Sequence, residues 1–184
     1  TTGTSNTAVG DAALRNNSTA SNNTAVGSAA LNANTTGANN TAVGMNALDA
    51  NTTSSNNTAL GYQSLTAAGS SGGSGGNTAV GSNAGESVTT GIFNVMMGSH
   101  AGFDLTSGSR NIFMGVNAGA NITTGDENVA LGDNCLTTGT TADRNVGVGH
   151  DVLEACTGDH NTAIGHQAMK TNTSGVTNAA VGIN

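Results

Sequence analysis

The chain of 184 residues has no Trp, no Pro, 2 % aromatic residues, 8 % charged residues and two Cys. So few large rings argue against a central globular core. Four Lys and Arg against eleven Asp and Glu leave a net charge of −7, which excludes the basic footprint that nucleic-acid binding needs. No stretch approaches the roughly 18 apolar residues of a membrane span, so we expect none. Cys135 and Cys156 are too few for a disulfide framework.

What the chain does have is a repeat. An asparagine recurs eleven times, each followed four residues later by a glycine, at a spacing that is nearly always seventeen. One step of twenty crosses a Gly/Ser-rich insert at 69–76, and one step of sixteen joins Asn145 to Asn161. A fixed short period indicates that each unit is one turn stacked on its neighbours. We therefore interpret residues 1–184 as a single repeat domain with a bulge at 69–76, and expect it to be a segment of a longer fibre.

Positions within each repeat are counted from its asparagine, taken as position zero. These asparagines are Asn6, Asn23, Asn40, Asn57, Asn77, Asn94, Asn111, Asn128, Asn145, Asn161 and Asn178. Position two is mostly Ala and position three is aliphatic or Met in all eleven repeats. Seventeen residues leave no room for a helix of ten or more residues plus its connections. The pattern predicts an all-β parallel β-solenoid of about eleven rungs, with two short strands per turn, at positions one to three and near positions seven and eight.

We expect the asparagine column to be a structural ladder, in which each side-chain amide bonds to the identical residue in the rungs above and below. The glycine column predicts a bend or a positive φ where a Cβ would clash. Three repeats have glycine in place of Leu at position eight, at Gly85, Gly102 and Gly119. Two of these three repeats have larger residues at positions two and three, namely Met96 with Met97 and Phe113 with Met114. Close packing requires trades of this kind.

Adjacent apolar residues indicate an oligomer. Successive side chains of a strand point to opposite faces, so Ala8 and Val9 cannot both lie inside one narrow coil, and the same argument is applied to Ala13 and Leu14. Strands that are apolar on both faces are normally covered on both. We expect the second cover to be another copy of the chain.

The unit from Asn40 to Leu48, with sequence NTAVGMNAL, is repeated with little change at Asn6, Asn23, Asn57 and Asn77. It resembles the head repeats of YadA-like trimeric autotransporter adhesins and the similar repeats of bacteriophage tail-fibre proteins. The resemblance implies a left-handed β-roll, three chains around one axis, and a rigid adhesive fibre outside the cell, on a bacterial surface or a virion. It implies a receptor or glycan as partner and brings no catalytic residues, so we do not expect an enzyme. The seventeen-residue turn departs from the adhesin pattern in its longer loop.

Two columns could hold a cation. Register places Asp133, His150 and His166 in successive rungs, where they could share zinc; alternatively they are solvated surface residues. Two residues before the repeat asparagine, the stacked carboxylates are Asp126, Asp143 and Asp159. Calcium would suit such oxygen ligands, or the neighbouring charges of alternating sign, Arg110, Glu127 and Arg144, could balance them. No other cofactor is expected.

Three functions from different classes compete. The first is the adhesive fibre segment. The second is an ice-binding solenoid, suggested by the stacked Thr7, Thr24, Thr41, Thr58 and Thr78 and weakened by Val95, Ile112, Val129 and Val146 in the same column. The third is a polysaccharide-degrading tailspike, which the lack of a paired acid/base constellation disfavours. Because solenoid ends expose unpaired edges, we also expect axial continuation or end-to-end stacking.

Overall fold

The computed structural model describes residues 2–69 and 75–183, so residues 70–74 of the predicted bulge lie outside the described part. One three-residue strand forms at positions one to three of each repeat. The strands are β1 (Thr7–Val9), β2 (Thr24–Val26), β3 (Thr41–Val43), β4 (Thr58–Leu60), β5 (Thr78–Val80), β6 (Val95–Met97), β7 (Ile112–Met114), β8 (Val129–Leu131), β9 (Val146–Val148), β10 (Thr162–Ile164) and β11 (Ala179–Val181). They pair in parallel in sequence order as one eleven-stranded sheet. The predicted all-β parallel solenoid is confirmed, and no described segment is a helix that could cross a membrane.

The two irregular repeats leave the register of the sheet intact. Thr58 pairs with Thr78 across the long repeat, and Val146 pairs with Thr162 across the short one. In the short repeat the side-chain amide of Asn145 still donates to the loop carbonyl of Gly158, thirteen residues on, where its neighbours reach fourteen residues on. The missing residue is therefore taken from the outer loop, between the last turn and the next strand.

The second predicted strand of each rung is a turn. Positions six and eight adopt left-handed backbone, as at Ala12 and Leu14, with φ of 57° and 50°. Left-handed residues break the extended geometry that a strand requires. Backbone bonds between rungs continue through the turn nonetheless, with Leu14 N donating to Ala30 O at 3.0 Å.

This turn also corrects the argument built on Ala13 and Leu14. In a turn of alternating conformation the side chains do not alternate between two faces, and both residues of the pair lie inside the coil. In the second and third rungs Ala30, Leu31, Ala47 and Leu48 have no exposed surface. The pair therefore needs no second chain to cover it, and the apolar column that lies outward in every rung is position three of the strands.

The predicted volume trade is confirmed, and it operates between neighbouring rungs as well as within one rung. A Cβ on Gly85 would lie 2.7 Å from Met96 Cε, and one on Gly119 would lie 2.7 Å from Phe113 Cδ1. Met96 and Phe113 are fully buried, whereas Met97 and Met114 lie on the outer face. The glycine of one rung thus makes room for the large side chain of its own rung or of the next rung, which explains why the repeat containing Gly85 keeps a small position two.

Candidate functional site

The asparagine column is the best-connected set of polar side chains in the coil. From Asn23 to Asn161 its members have no exposed surface. Each Oδ1 accepts the backbone N–H of the next asparagine along the column, as from Asn111 N to Asn94 Oδ1 at 2.9 Å. From Asn6 to Asn161, with the exception of Asn57, the side-chain Nδ2 donates to a carbonyl of the outer loop, as from Asn94 to Gly108 O at 2.9 Å.

Direct contact between side chains is the minor part of this ladder. In the second half of the chain, Nδ2 also reaches Oδ1 of the preceding asparagine, at 3.1 Å between Asn94 and Asn77 and 3.4 Å between Asn145 and Asn128. The expected amide-to-amide ladder is thus mainly an amide-to-backbone ladder. Its chemistry is structural, because it satisfies backbone groups at a bend where the sheet pairing stops.

The glycine at position four is required by both conformation and space. Its φ is 128° at Gly10 and 133° at Gly27, a region that L side chains rarely adopt. A Cβ on Gly10 would lie 2.6 Å from the carbonyl oxygen of Gly27 in the next rung. Both reasons predicted from sequence are therefore confirmed.

The aspartates of the second column serve as backbone acceptors. Asp126 Oδ1 accepts from Ser109 N at 2.7 Å, Asp143 Oδ1 from Asp126 N at 2.8 Å, and Asp159 Oδ1 from Asp143 N at 2.9 Å. Serine plays the same part in other rungs, where Ser55 Oγ accepts from Ala38 N at 3.0 Å. The direction is opposite to that of the asparagine ladder, so the two columns tie each rung to the one above and the one below.

The charges beside this column form weak surface pairs. Glu127 lies 3.1 Å from Arg144 Nε and 3.8 Å from Arg110 Nη1. All three side chains are close to half exposed or more, so each pair contributes at most about 1 kcal/mol.

The structure does not gather the predicted zinc ligands into one cluster. Asp133 Oδ1 accepts from Val116 N at 3.0 Å. The rings of His150 and His166 stack in parallel with centroids 5.4 Å apart, and His150 Nδ1 lies 3.4 Å from Asp151 Oδ1. Within residues 2–69 and 75–183 no group of three or more His, Cys, Asp or Glu side chains is placed to hold a metal ion.

Sequence reasoning missed an ion cluster around Asp151. Lys170 Nζ lies 2.8 Å from Asp151 Oδ2 and 2.9 Å from Glu154 Oε2. The bond from Lys170, aided by bonds from Gln167 and Asn134, lowers the pKa of Asp151 to about 2. The same two carboxylates raise the pKa of Lys170. The signal in the sequence is the shared register, because Asn134, Asp151 and Gln167 all stand at position six, and Glu154 and Lys170 both stand at position nine of successive rungs.

A second amide column was also missed. Asn34 Nδ2 donates to Asn17 Oδ1 at 3.2 Å, and Asn51 Nδ2 donates to Asn34 Oδ1 at 2.9 Å. The seventeen-residue spacing of these three was available in the sequence. In later rungs the same column turns apolar, with Val88, Leu105 and Ile122 buried.

The two cysteines are buried free thiols. Burial raises the pKa of Cys135 to about 12 and raises that of Cys156, so neither is a ready nucleophile. Cys135 Sγ fills the space that a Cβ on Gly147 would need, at 2.5 Å. Its role as a small buried residue is a further case of the volume trade.

The outer face of the sheet is the largest candidate interaction surface. Position two points inward, with Ala25 and Ala42 fully buried, while position three points outward, leaving 57 % of Val9, 46 % of Leu60 and 39 % of Met114 exposed. The residue at position three is apolar in all eleven strands. A solvated sheet face would carry polar residues there.

No family model, curated protein or solved structure matches this chain.

Proposed function

We propose that this chain is a rigid structural segment of an adhesive surface fibre, in which copies pack side by side through the outward face of the sheet, most simply as three chains. The observation that carries the proposal is the apolar position three, which is outward in every strand and has no place in the chain's own core. Eleven rungs at about 4.8 Å make a face roughly 50 Å long. Contiguous apolar patches of several hundred Å² are commonly interaction sites.

The adhesive part of the proposal is supported by the resemblance of the repeat unit to adhesin heads and tail fibres. The shape agrees with it: each rung contacts only its neighbours in the stack, which suits an extended rod. The outer turns alternate exposed and half-buried polar residues, and these are the groups that a receptor would meet outside the cell.

The test is the mass of the assembly. Met114→Glu and Val43→Glu place a charge on the outer face without touching the inner core, so each should reduce the assembly to the 17.8 kDa chain while circular dichroism stays unchanged. Thr124→Glu, in an exposed outer loop, is the matched control and should leave the mass unaltered. A wild-type chain that sediments as a monodisperse monomer at micromolar concentration would refute the proposal.

Ice binding is the second candidate, and one observation favours it. In the first five strands, threonine at position one shares the outward face with the aliphatic residue at position three, in continuous register. This face cannot be buried between copies and also contact ice. Thermal hysteresis from the wild-type chain that rises in the monomeric Met114→Glu variant would favour ice binding over the fibre.

A further inference from the structure

Phe93 occupies a backbone position that penalises it. The residue before each repeat asparagine, which we call position minus one, has left-handed φ in every described rung. Asparagine, found here as Asn22, Asn39 and Asn56, tolerates that region well, whereas a bulky aromatic residue there is an outlier. Phe93 has a φ of 59°. The fold imposes this conformation at every rung, Arg110 and Glu127 included, so the backbone is structural and only the choice of an aromatic ring at Phe93 is left to explain.

Nothing in the described core requires the ring either. Phe93 is 61 % exposed. Among the described residues its ring stacks on no other ring, since the ring pairs join His100 to Phe103 and His150 to His166. The Cδ1–Cε1 edge of Phe93 leans over Gly76, where an added Cβ would lie 2.6 Å from Cδ1. Gly76 therefore allows the ring to lie along the column, with most of its surface open.

Exposed hydrogen-bonding groups stand on both sides of the ring. Below it, a short amide ladder runs from Asn22 through Asn39 to Asn56 at 3.2 and 3.3 Å. It stops at Asn56 because the next rung has Gly76 and no side chain, so Asn56 Nδ2 has no partner among the described residues. Above the ring, Arg110 stands 3.8 Å from Glu127 Oε1, beyond a good hydrogen bond.

We propose that Asn56, Phe93 and Arg110 form a binding platform for a neutral pyranose oligosaccharide, which names the receptor class for the adhesive function proposed above and rests on it. The polarised C–H face of a pyranose ring complements the electron-rich face of an aromatic ring. The amide of Asn56 offers donors to sugar hydroxyls, and Arg110 offers several more in a planar fork. Charges of both signs in this column favour a neutral ligand over an acidic one.

The position of the platform along the rod is consistent with this role. The only lengthened repeat, from Asn57 to Asn77, ends immediately below Phe93. Insertions in solenoid repeats tend to lie on the binding face. The platform itself consists of described residues and does not depend on residues 70–74.

The test uses the full chain and four neutral probes, cellohexaose, maltohexaose, mannohexaose and chitohexaose, by saturation-transfer NMR and calorimetry. At least one hexasaccharide should bind, with transfer from the Phe93 ring. Phe93→Asn should weaken binding at least tenfold while leaving the unfolding temperature unchanged or higher, because asparagine suits this backbone. Phe93→Tyr should retain binding, and Tyr62→Ala, which removes an exposed aromatic residue from another column, should not affect it.

Each opposite result is decisive. If none of the four probes binds at millimolar concentration, or if Phe93→Asn binds as the wild type does, the platform is refuted. A change in assembly mass on Phe93→Asn would instead assign the ring to a contact between copies. Assembly mass in the Met114→Glu series is measured separately, so the fibre can fail while the platform stands, and the reverse.

Discussion

At the scale of single residues, the residue type at the bends is set by backbone groups that would otherwise lack a hydrogen-bond partner. Asparagine at position zero supplies an acceptor to one rung and a donor to a loop, and aspartate or serine at position minus two supplies an acceptor in the other direction. A carboxylate in the second column is thus explained before any cation is invoked. The prediction of cation sites at Asp126, Asp143 and Asp159 stays a prediction.

Asp151 gives this residue-level chemistry a pH dependence. Its pKa is lowered to about 2 in the fold from roughly 3.9 in an unfolded chain. A depressed carboxyl pKa contributes stability that is present above about pH 4 and is lost as the pH falls towards 2. The unfolding midpoint of the wild type should therefore drop more between pH 4 and pH 2 than that of Asp151→Asn.

The difference between the two curves isolates Asp151 from the other carboxyl groups. Asp104→Asn, with no ion pair among the described residues, serves as the control and should follow the wild type. Parallel curves for the wild type and Asp151→Asn would show that Lys170 does not stabilise the folded carboxylate.

At the scale of elements, the strands were predictable and the turns were not. A residue pattern of period seventeen places β1 to β11 at positions one to three, but positions two and three are both apolar, so the pattern does not show which of them faces inward. Hydrophobicity at positions seven and eight, as at Ala13 and Leu14, carries no sign of the left-handed φ that brings both side chains inward. Nor does sequence show which rung a glycine serves, because the contact of Gly85 with Met96 crosses from one rung to the next.

Gly102 tests the trade between rungs. An added Cβ would lie 2.9 Å from Met96 Sδ and 3.0 Å from Phe113 Cδ2, at a φ of 61°. Gly102→Ala should destabilise the chain by about 1–3 kcal/mol through overpacking, measured by chemical denaturation. In a Phe113→Ala background the same change should cost less, because the ring that it meets is gone. An equal cost in both backgrounds would assign the whole effect to backbone strain.

The candidate sites divide in the same way. The asparagine column could be read from sequence because each member makes the same bonds at the same spacing. The Asp151 cluster and the Phe93 platform also follow the register, at positions six and nine and at position minus one, but the mixed residue types of those columns do not mark them as sites. The stacking register alone brings them together.

At the scale of the whole molecule, the solenoid is a one-dimensional stack, and its energetics should be local. Strands contact only the strands before and after them, so coupling should be confined to adjacent rungs. Asn94 and Asn111 share two hydrogen bonds, from backbone N at 2.9 Å and from Nδ2 at 3.1 Å. Asn40 and Asn145 are six rungs apart, which is about 29 Å.

Alanine substitutions in these two pairs test that locality. Each single change in a fully buried asparagine should cost about 1–3 kcal/mol, because it leaves backbone and loop groups unsatisfied. The double variant Asn94→Ala with Asn111→Ala should cost less than the sum by at least about 0.5 kcal/mol, since the bond from Asn111 Nδ2 to Asn94 Oδ1 is removed by either change and is lost only once. Asn40→Ala with Asn145→Ala should be additive within about 0.5 kcal/mol. All variants are compared at one protein concentration, so that association contributes equally. Equal coupling in the near and the distant pair would mean that the rod unfolds as one cooperative body, which contacts between copies along the outer face of the sheet would produce.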